Sequence, residues 1–305
     1  MLEENPLFRE AWYITERELR HFVRRKIQVI TSFIQPAVWL AFFGYAISSG
    51  IPGMGMGMGG FGLQGLTNVL QLYVHLLPIS EAAKYVLSNM VSVSYIDFLA
   101  TGIIAATVMV TAFMSGVSII WDKRFGYLTK LLVAPIPRSS IMLGKMMAST
   151  IRSLIQALVV VILAVLLGAR IYTGVVGVAL SIPFMVIFAL GLSGLSVALG
   201  IKLADHEVFF GIFQMILLPL FFVSPTIVPL ESMPGWLQAA ARGNPLTYAV
   251  DAIRKSLLGG DFGALGESLA FAGVGGYLFY DFVVLSVIFV VMVLIGAFMF
   301  RRYVM

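Results

Sequence analysis

The sequence predicts an all-α integral membrane protein with six transmembrane helices, and three observations predict it. Apolar side chains make up 60% of the 305 residues and charged ones only 11%, where soluble domains carry about 25% charge. Uncharged or nearly uncharged runs long enough to cross a bilayer, which needs about 20 apolar residues, recur along the whole chain. Lys and Arg then segregate between alternate connections. An N-terminal interfacial helix, one helix between two spans on the cytoplasmic side and re-entrant helices on the outer side complete the expected architecture.

Residues 1–26 form a separate unit, in which Phe8, Trp12, Leu19, Phe22 and Val23 recur at helical spacing while Arg9, Glu10, Glu16, Arg17, Arg20 and Arg24 fill the other side. This is the pattern of a helix lying in a membrane interface, serving either as an anchor or as a strut against a cytoplasmic partner. Residues 27–305 form the transmembrane domain, beginning with a span at Ile27–Ser48. The outer segment 49–96 opens on Ile-Pro-Gly and the alternating run Gly53-Met-Gly-Met-Gly-Met-Gly-Gly60, in which glycine leaves the backbone unrestricted. Phe98–Trp121 is the second span and 122–138 the loop that follows it.

The third span, Met146–Ala169, contains a single charge, Arg152, placed to snorkel towards the nearer surface. The run from Ile171 to Ile201 exceeds one bilayer thickness, so its helix is expected at Val175–Ile201. Val208–Leu230 is the fifth span. The outer segment 231–281 holds the pieces Trp236–Ala241 and Leu246–Leu258, each too short to cross, and Phe282–Phe300 is the sixth span. Pro36, Pro183 and Pro219 are expected to kink their helices without ending them.

Counting Lys and Arg on alternate sides gives fourteen against five, so both termini and the 122–138 loop are expected in the cytoplasm of a multi-pass cell-membrane protein, with 49–96 and 231–281 outside. The chain opens on Glu3 and Glu4 and its first apolar run starts at residue 27, which reads against a cleaved signal peptide. The net charge of +5 is expected to face anionic lipid, with no nucleic acid as partner.

With no cysteine and three scattered histidines, there is no pattern for a thiolate zinc site or a nucleophile–base pair, and no metal is expected. A Gly57-x-Gly59-x-x-Gly62 match falls inside the glycine run without a strand or an acidic ribose partner, so it carries no weight. Met54, Met56 and Met58 are more simply a flexible linker than soft copper ligands. No phosphate-cradling Gly-x4-Gly-Lys loop occurs, so the chain reads as non-catalytic and without a cofactor of its own.

The loop 122–138 is the most informative segment. Phe125, Leu128, Leu131 and Leu132 share a helical face, Pro135 and Pro137 stop that helix, and Ser139 or Ser140 can cap the next. Either the face docks on something cytoplasmic or the helix lies on headgroups.

The stretches Tyr95-Ile-Asp-Phe-Leu-Ala-Thr-Gly102, Phe125-Gly-Tyr-Leu-Thr-Lys-Leu-Leu-Val-Ala-Pro135 with Leu143-Gly-Lys145, and Asn244-Pro-Leu-Thr-Tyr-Ala-Val-Asp-Ala-Ile-Arg254, in this order, resemble the ABC-2 type permease family over nearly the whole chain. Within it, the drug-efflux and Nod-factor-type exporter permeases are the most similar. The resemblance implies a permease subunit that forms a homodimer, or a dimer with a related chain, and works with two copies of a separate ABC ATPase subunit carrying the ATP and Mg. It also implies that the 122–138 loop is the coupling helix, with Lys123, Arg124, Phe125, Gly126, Leu128 and Lys130 as contacts to that ATPase. The family often has acids where Arg124 and Thr129 stand, so the partner here should present compensating acids.

The expected function is that of the transmembrane permease subunit of an ATP-driven ABC exporter moving an amphiphilic, lipid-like or drug-like substrate out of the cell. Its path would run along the first, second and fifth spans, where Phe42, Met109, Phe113, Met114, Phe213, Met215 and Phe222 offer adaptable apolar surface or plain packing. An ion- or proton-coupled secondary transporter is the alternative. It would need ionisable residues at mid-membrane, and only Arg152 lies within a span.

Overall fold

The computed structural model describes residues 6–48, 95–203, 205–230, 233–259 and 273–304. The glycine–methionine run and residues 260–272 lie outside the described residues. Among the described residues every regular element is helical. Five helical segments are long and apolar enough to cross a membrane: Tyr95–Arg124, Arg138–Leu166, Gly174–Lys202, His206–Val223 and Leu278–Phe300.

The first helix, α1 (Pro6–Arg24), is followed at once by α2 (Lys26–Ser48), whose apolar portion is the shorter Ile30–Gly44. Of the apolar stripe, Phe8, Trp12 and Val23 are exposed while Leu19 and Phe22 are half-buried, and the face that packs on the bundle carries Ala11, Ile14, Thr15 and Glu18. The reason is a close crossing with α6 (Arg138–Leu166). A Cβ at Gly144 would lie 2.7 Å from the Ala11 carbonyl, and the Thr15 hydroxyl donates to the Gly144 carbonyl at 3.0 Å. Small residues win that face because only they allow such an approach.

The second span is interrupted. It divides into α3 (Tyr95–Phe113) and α4 (Ser115–Arg124) at Met114. Ser196, on α7 (Gly174–Lys202), inserts its hydroxyl there, accepting from the Gly116 N–H at 3.0 Å and donating to the Phe113 carbonyl. The Val117 N–H turns to Met114 instead, at 3.1 Å. A side chain entering the backbone ladder is a recognised cause of a helix break.

A turn at Phe125–Gly126 leads into the short α5 (Tyr127–Val133). The next helix, α6, starts at Arg138, eight residues before the expected span. Neither serine caps it: Pro137 occupies the cap position with the backbone angle that proline fixes, and the Ser140 hydroxyl donates to the Leu7 carbonyl of α1 at 3.1 Å. α7 runs through Pro183, and α2 and α8 (His206–Val223) run through Pro36 and Pro219. The fifth span was expected to reach Leu230, but α8 stops at Val223, where Pro225 cannot continue it and the Ser224 hydroxyl turns back to the Phe221 carbonyl at 2.7 Å.

Beyond it, α9 (Gly235–Arg242) exposes Trp236, whereas every residue of α10 (Pro245–Leu258) from Leu246 onward is buried. α10 packs against α3, α7 and the last helix, α11 (Gly273–Val304). Its charges are matched internally: Lys255 bonds Asp251 at 2.6 Å and Asp281 of α11 at 3.1 Å, and Arg254 reaches the Pro225 carbonyl at 2.9 Å. α7 and α11 meet where a Cβ at Gly296 would stand 2.8 Å from the Gly194 carbonyl.

Candidate functional site

Two features stand out, a polar junction beneath α5 and a cavity beside it. The junction is built on Lys145, which is 1% exposed on α6 and donates to Glu18 of α1 at 2.6 Å, to Ser118 of α4 at 2.9 Å and to Asp122 of α4. Arg17 pairs with Asp122 at 3.1 Å and lies over the Tyr127 ring of α5, 3.4 Å from its centroid. Two cations and two carboxylates thus close a network that ties α1, α4, α5 and α6 together. Burial pushes the Glu18 carboxyl up, but Lys145, with Arg152 and Arg17 beyond it, outweighs burial and holds it below the usual carboxylate range.

The loop residues expected as contacts divide in two. Phe125 is 72% exposed and stacks on Trp121 with ring centroids 5.3 Å apart, and Arg124 and Lys130 are exposed beside it. Leu128 is only 4% exposed and packs with Ile14, Ile119 and Ile141. The single apolar face expected for Phe125, Leu128, Leu131 and Leu132 is therefore not formed. The turn at Gly126, with φ +70°, precedes the helix and rotates Phe125 away from the leucines. Lys123 donates to the Ile201 carbonyl at 3.2 Å, which fixes α4 to the end of α7.

The cavity, about 630 Å³, lies among α2, α3, α6 and α8, with Phe22 of α1 at one end. Its size is that of a small-molecule pocket. Of the path residues expected from the sequence, Met109, Met114 and Phe213 line it. Phe113 does not: it is fully buried against Phe209 and Phe213, with ring centroids 5.7 Å apart in each pair. Phe42, Met215 and Phe222 are exposed on the outer faces of α2 and α8. The lining also holds polar groups that sequence reasoning passed over, namely Gln35, Thr111, Gln156 and Gln214, and with them Arg152. The signal for the pair on α6 was available, since Arg152 and Gln156 are four residues apart on one face, just before the apolar run that ends the helix.

Comparison with known proteins places these features in context. The sequence profile of a family described as ABC-2 type transporter matches residues 9–258. A protein of Porphyra purpurea described as a transport permease, ycf38, is 30% identical over 81% of this chain and 74% of its own length. The daunorubicin resistance ABC transporter permease protein DrrB1 of Streptomyces coeruleorubidus is 28% identical over 54% of this chain and 58% of its own. Nodulation protein J of Rhizobium leguminosarum bv. viciae is 23% identical over 64% of this chain and 74% of its own.

Proposed function

The chain belongs to the ABC-2 type transporter family, and from that premise we propose that it is the membrane-spanning subunit of an ATP-driven exporter for amphiphilic molecules. It works as a dimer, and a separate ABC ATPase subunit, two copies per dimer, supplies the ATP and Mg. α2 completes a set of six spans, with both termini and α5 on the cytoplasmic side, as the fourteen-to-five charge asymmetry requires. A second copy covers the apolar faces that α2 and α8 leave exposed at Ile34, Val38, Phe42, Met215 and Phe222. The ATPase binds the surface made by Arg124, Phe125 and Lys130.

The observation that supports this reading best is the cavity among α2, α3, α6 and α8, whose lining includes Phe22 of α1 and Arg152 of α6, two helices that the junction with α4 and α5 also joins. A displacement applied at α5 reaches α1 through Arg17, and α1 contributes Phe22 to the cavity wall. Rigid, discretely packed elements of this kind carry displacement where loops absorb it. The test is to co-purify the chain with its ATPase subunit, reconstitute both in proteoliposomes and follow a fluorescent amphiphile. ATP-dependent movement that stops with a non-hydrolysable analogue is the expected result. Stable purification with no associated ATPase, and transport driven by an ion gradient instead, would overturn the reading.

A further inference from the structure

We infer that the cavity selects an anionic amphiphile, with Arg152 and Gln156 holding the head and the aromatic end around Trp39 receiving the tail. This deepens the exporter reading and rests on it only for what becomes of the bound molecule.

The two ends of the cavity differ in chemistry. Near α1 its wall carries the polar side chains Ser32, Gln35, Arg152, Gln156 and Gln214 among the apolar Phe22, Met114 and Phe210, and away from α1 it carries the apolar Trp39, Ile103, Leu217 and Phe221. From Thr31 to Trp39 the wall climbs about 12 Å at the helical rise of about 1.5 Å per residue, from a hydroxyl to an indole. A ligand that matches this gradient has one polar end and one apolar end, and lies along the helices as a lipid does.

The sign of the head follows from Arg152. Its Nε donates to the Ala148 carbonyl of its own helix at 3.3 Å, and its guanidinium carbon lies 5.9 Å from the Phe22 ring centroid. Among the described residues no carboxylate lies within 4 Å of it, and no hydrogen bond is made by its two terminal amino groups. The charged groups that act on it, Glu18 and Arg25, are opposite in sign, and Glu18 is already bonded to Lys145 at 2.6 Å. Among the described residues no acid is found in the lining. A guanidinium with no carboxylate against it gains most from a charge-assisted bond to a planar or tetrahedral oxyanion. Gln156, whose Oε1 accepts from Thr111, has its amide NH2 left to join that contact. A cationic amphiphile would meet the wrong sign at this end.

Trp39 supplies the readout. The experiment uses the full chain with Trp12, Trp121 and Trp236 replaced by Phe, leaving Trp39 as the sole indole of four, in nanodiscs of phosphatidylcholine. Three probes sharing one brominated tail are titrated: 9,10-dibromostearate, its neutral glyceryl ester and a dibrominated octadecyl-trimethylammonium. The expected result is quenching of Trp39 by the anion at about tenfold lower concentration than by either other probe, as one charge-assisted bond would give. Arg152→Gln should remove that preference while the ester is unchanged, and Arg152→Lys should keep part of it.

Equal quenching by the three probes, or a preference for the cation, overturns the inference. The probe comparison on the parent chain decides this even if Arg152→Gln does not fold. With the ATPase subunit present, ATP that relieves the quench identifies the anion as cargo, and a quench indifferent to ATP identifies a resident lipid; both support the anion site. ATP-driven transport without any charge preference overturns the inference and leaves the exporter reading standing.

Discussion

Glu18 and Lys145 are 127 residues apart in sequence and 2.6 Å apart in space, and the bond between them fastens α1 to the start of α6. Removing one partner of a buried pair strands the other. Lys145→Met leaves Glu18 and Asp122 with only Arg17 and the more distant Arg152 to balance them, and should cost about 3–5 kcal/mol. Glu18→Gln should cost less, because Lys145 keeps Asp122 and Ser118. Thermal unfolding of the purified protein in one detergent checks both, and a double variant less than additive by at least about 0.5 kcal/mol confirms the coupling.

Acid should loosen the same junction. The Glu18 carboxyl is held below its ordinary range in the folded chain, so its contribution is complete above the unfolded value of about 4.3. It is lost as pH falls through the lower folded value. Hydrogen-exchange protection of the α1 amides, taken relative to the intrinsic rate at each pH, should therefore be flat from neutral pH to about 4.5 and fall below it. In Glu18→Gln that protection should be lower at neutral pH and nearly independent of pH; an identical acid profile in that variant would remove Glu18 from the account.

Gly126 holds a left-handed backbone at φ +70° with nothing within 4 Å of where a Cβ would stand. The cost of a side chain there is conformational and not steric. Gly126→Ala should destabilise by about 1–2 kcal/mol, with Gly126→Asn milder. ATPase stimulation by substrate should fall further than stability does, since the turn sets the direction of Phe125. A Gly126→Val chain with normal melting and normal stimulation would contradict this.

Phe125 and Leu128 should part company under the same substitution. Leu128→Asp buries a charge among Ile14, Ile119 and Ile141, and should unfold or retain the chain before insertion is complete. Phe125→Asp places its charge in solvent and should leave melting within about 0.5 kcal/mol of the parent while lowering co-purification of the ATPase subunit. Charge reversal at Lys130 should act on association in a salt-dependent way. If Phe125→Asp and the Lys130 reversal both leave association intact, α5 is better regarded as a connector lying on headgroups.

Helix α7 was legible to within one residue at each end, because nothing but apolar spacing and flanking glycine and lysine decides where it runs. Where tertiary contacts compete, legibility fails in an intelligible direction. The α1 periodicity marks Phe8, Trp12 and Val23 as a face for the membrane interface and they stay exposed, but it gives no sign that Ala11 and Gly144 set the crossing with α6. Leu128 and Phe125 share helical spacing only if Gly126 is helical, and it is not. The i,i+4 spacing of Asp251 and Lys255 was readable on α10, but the bundle hides this helix because Lys255 also finds Asp281 of α11, a partner that no local pattern pairs with it. The cavity's methionines were visible as soft apolar residues, whereas Gln35 and Gln214 mattered only once α2 and α8 brought them to one wall.

The hydroxyl of Ser196 in the gap between Phe113 and Gly116 decides where force goes. An unbroken helix is a stiff rod, and a push at one end arrives undiminished at the other. This rod is interrupted at Met114 and bonded sideways to α7, so a push on α4 is expected to load α7 and, through the Gly194–Gly296 crossing, α11. The α3 half, which carries Met109 into the cavity wall, is spared the direct load. The molecule's lever arm is therefore shorter than its span, with the fulcrum at a serine.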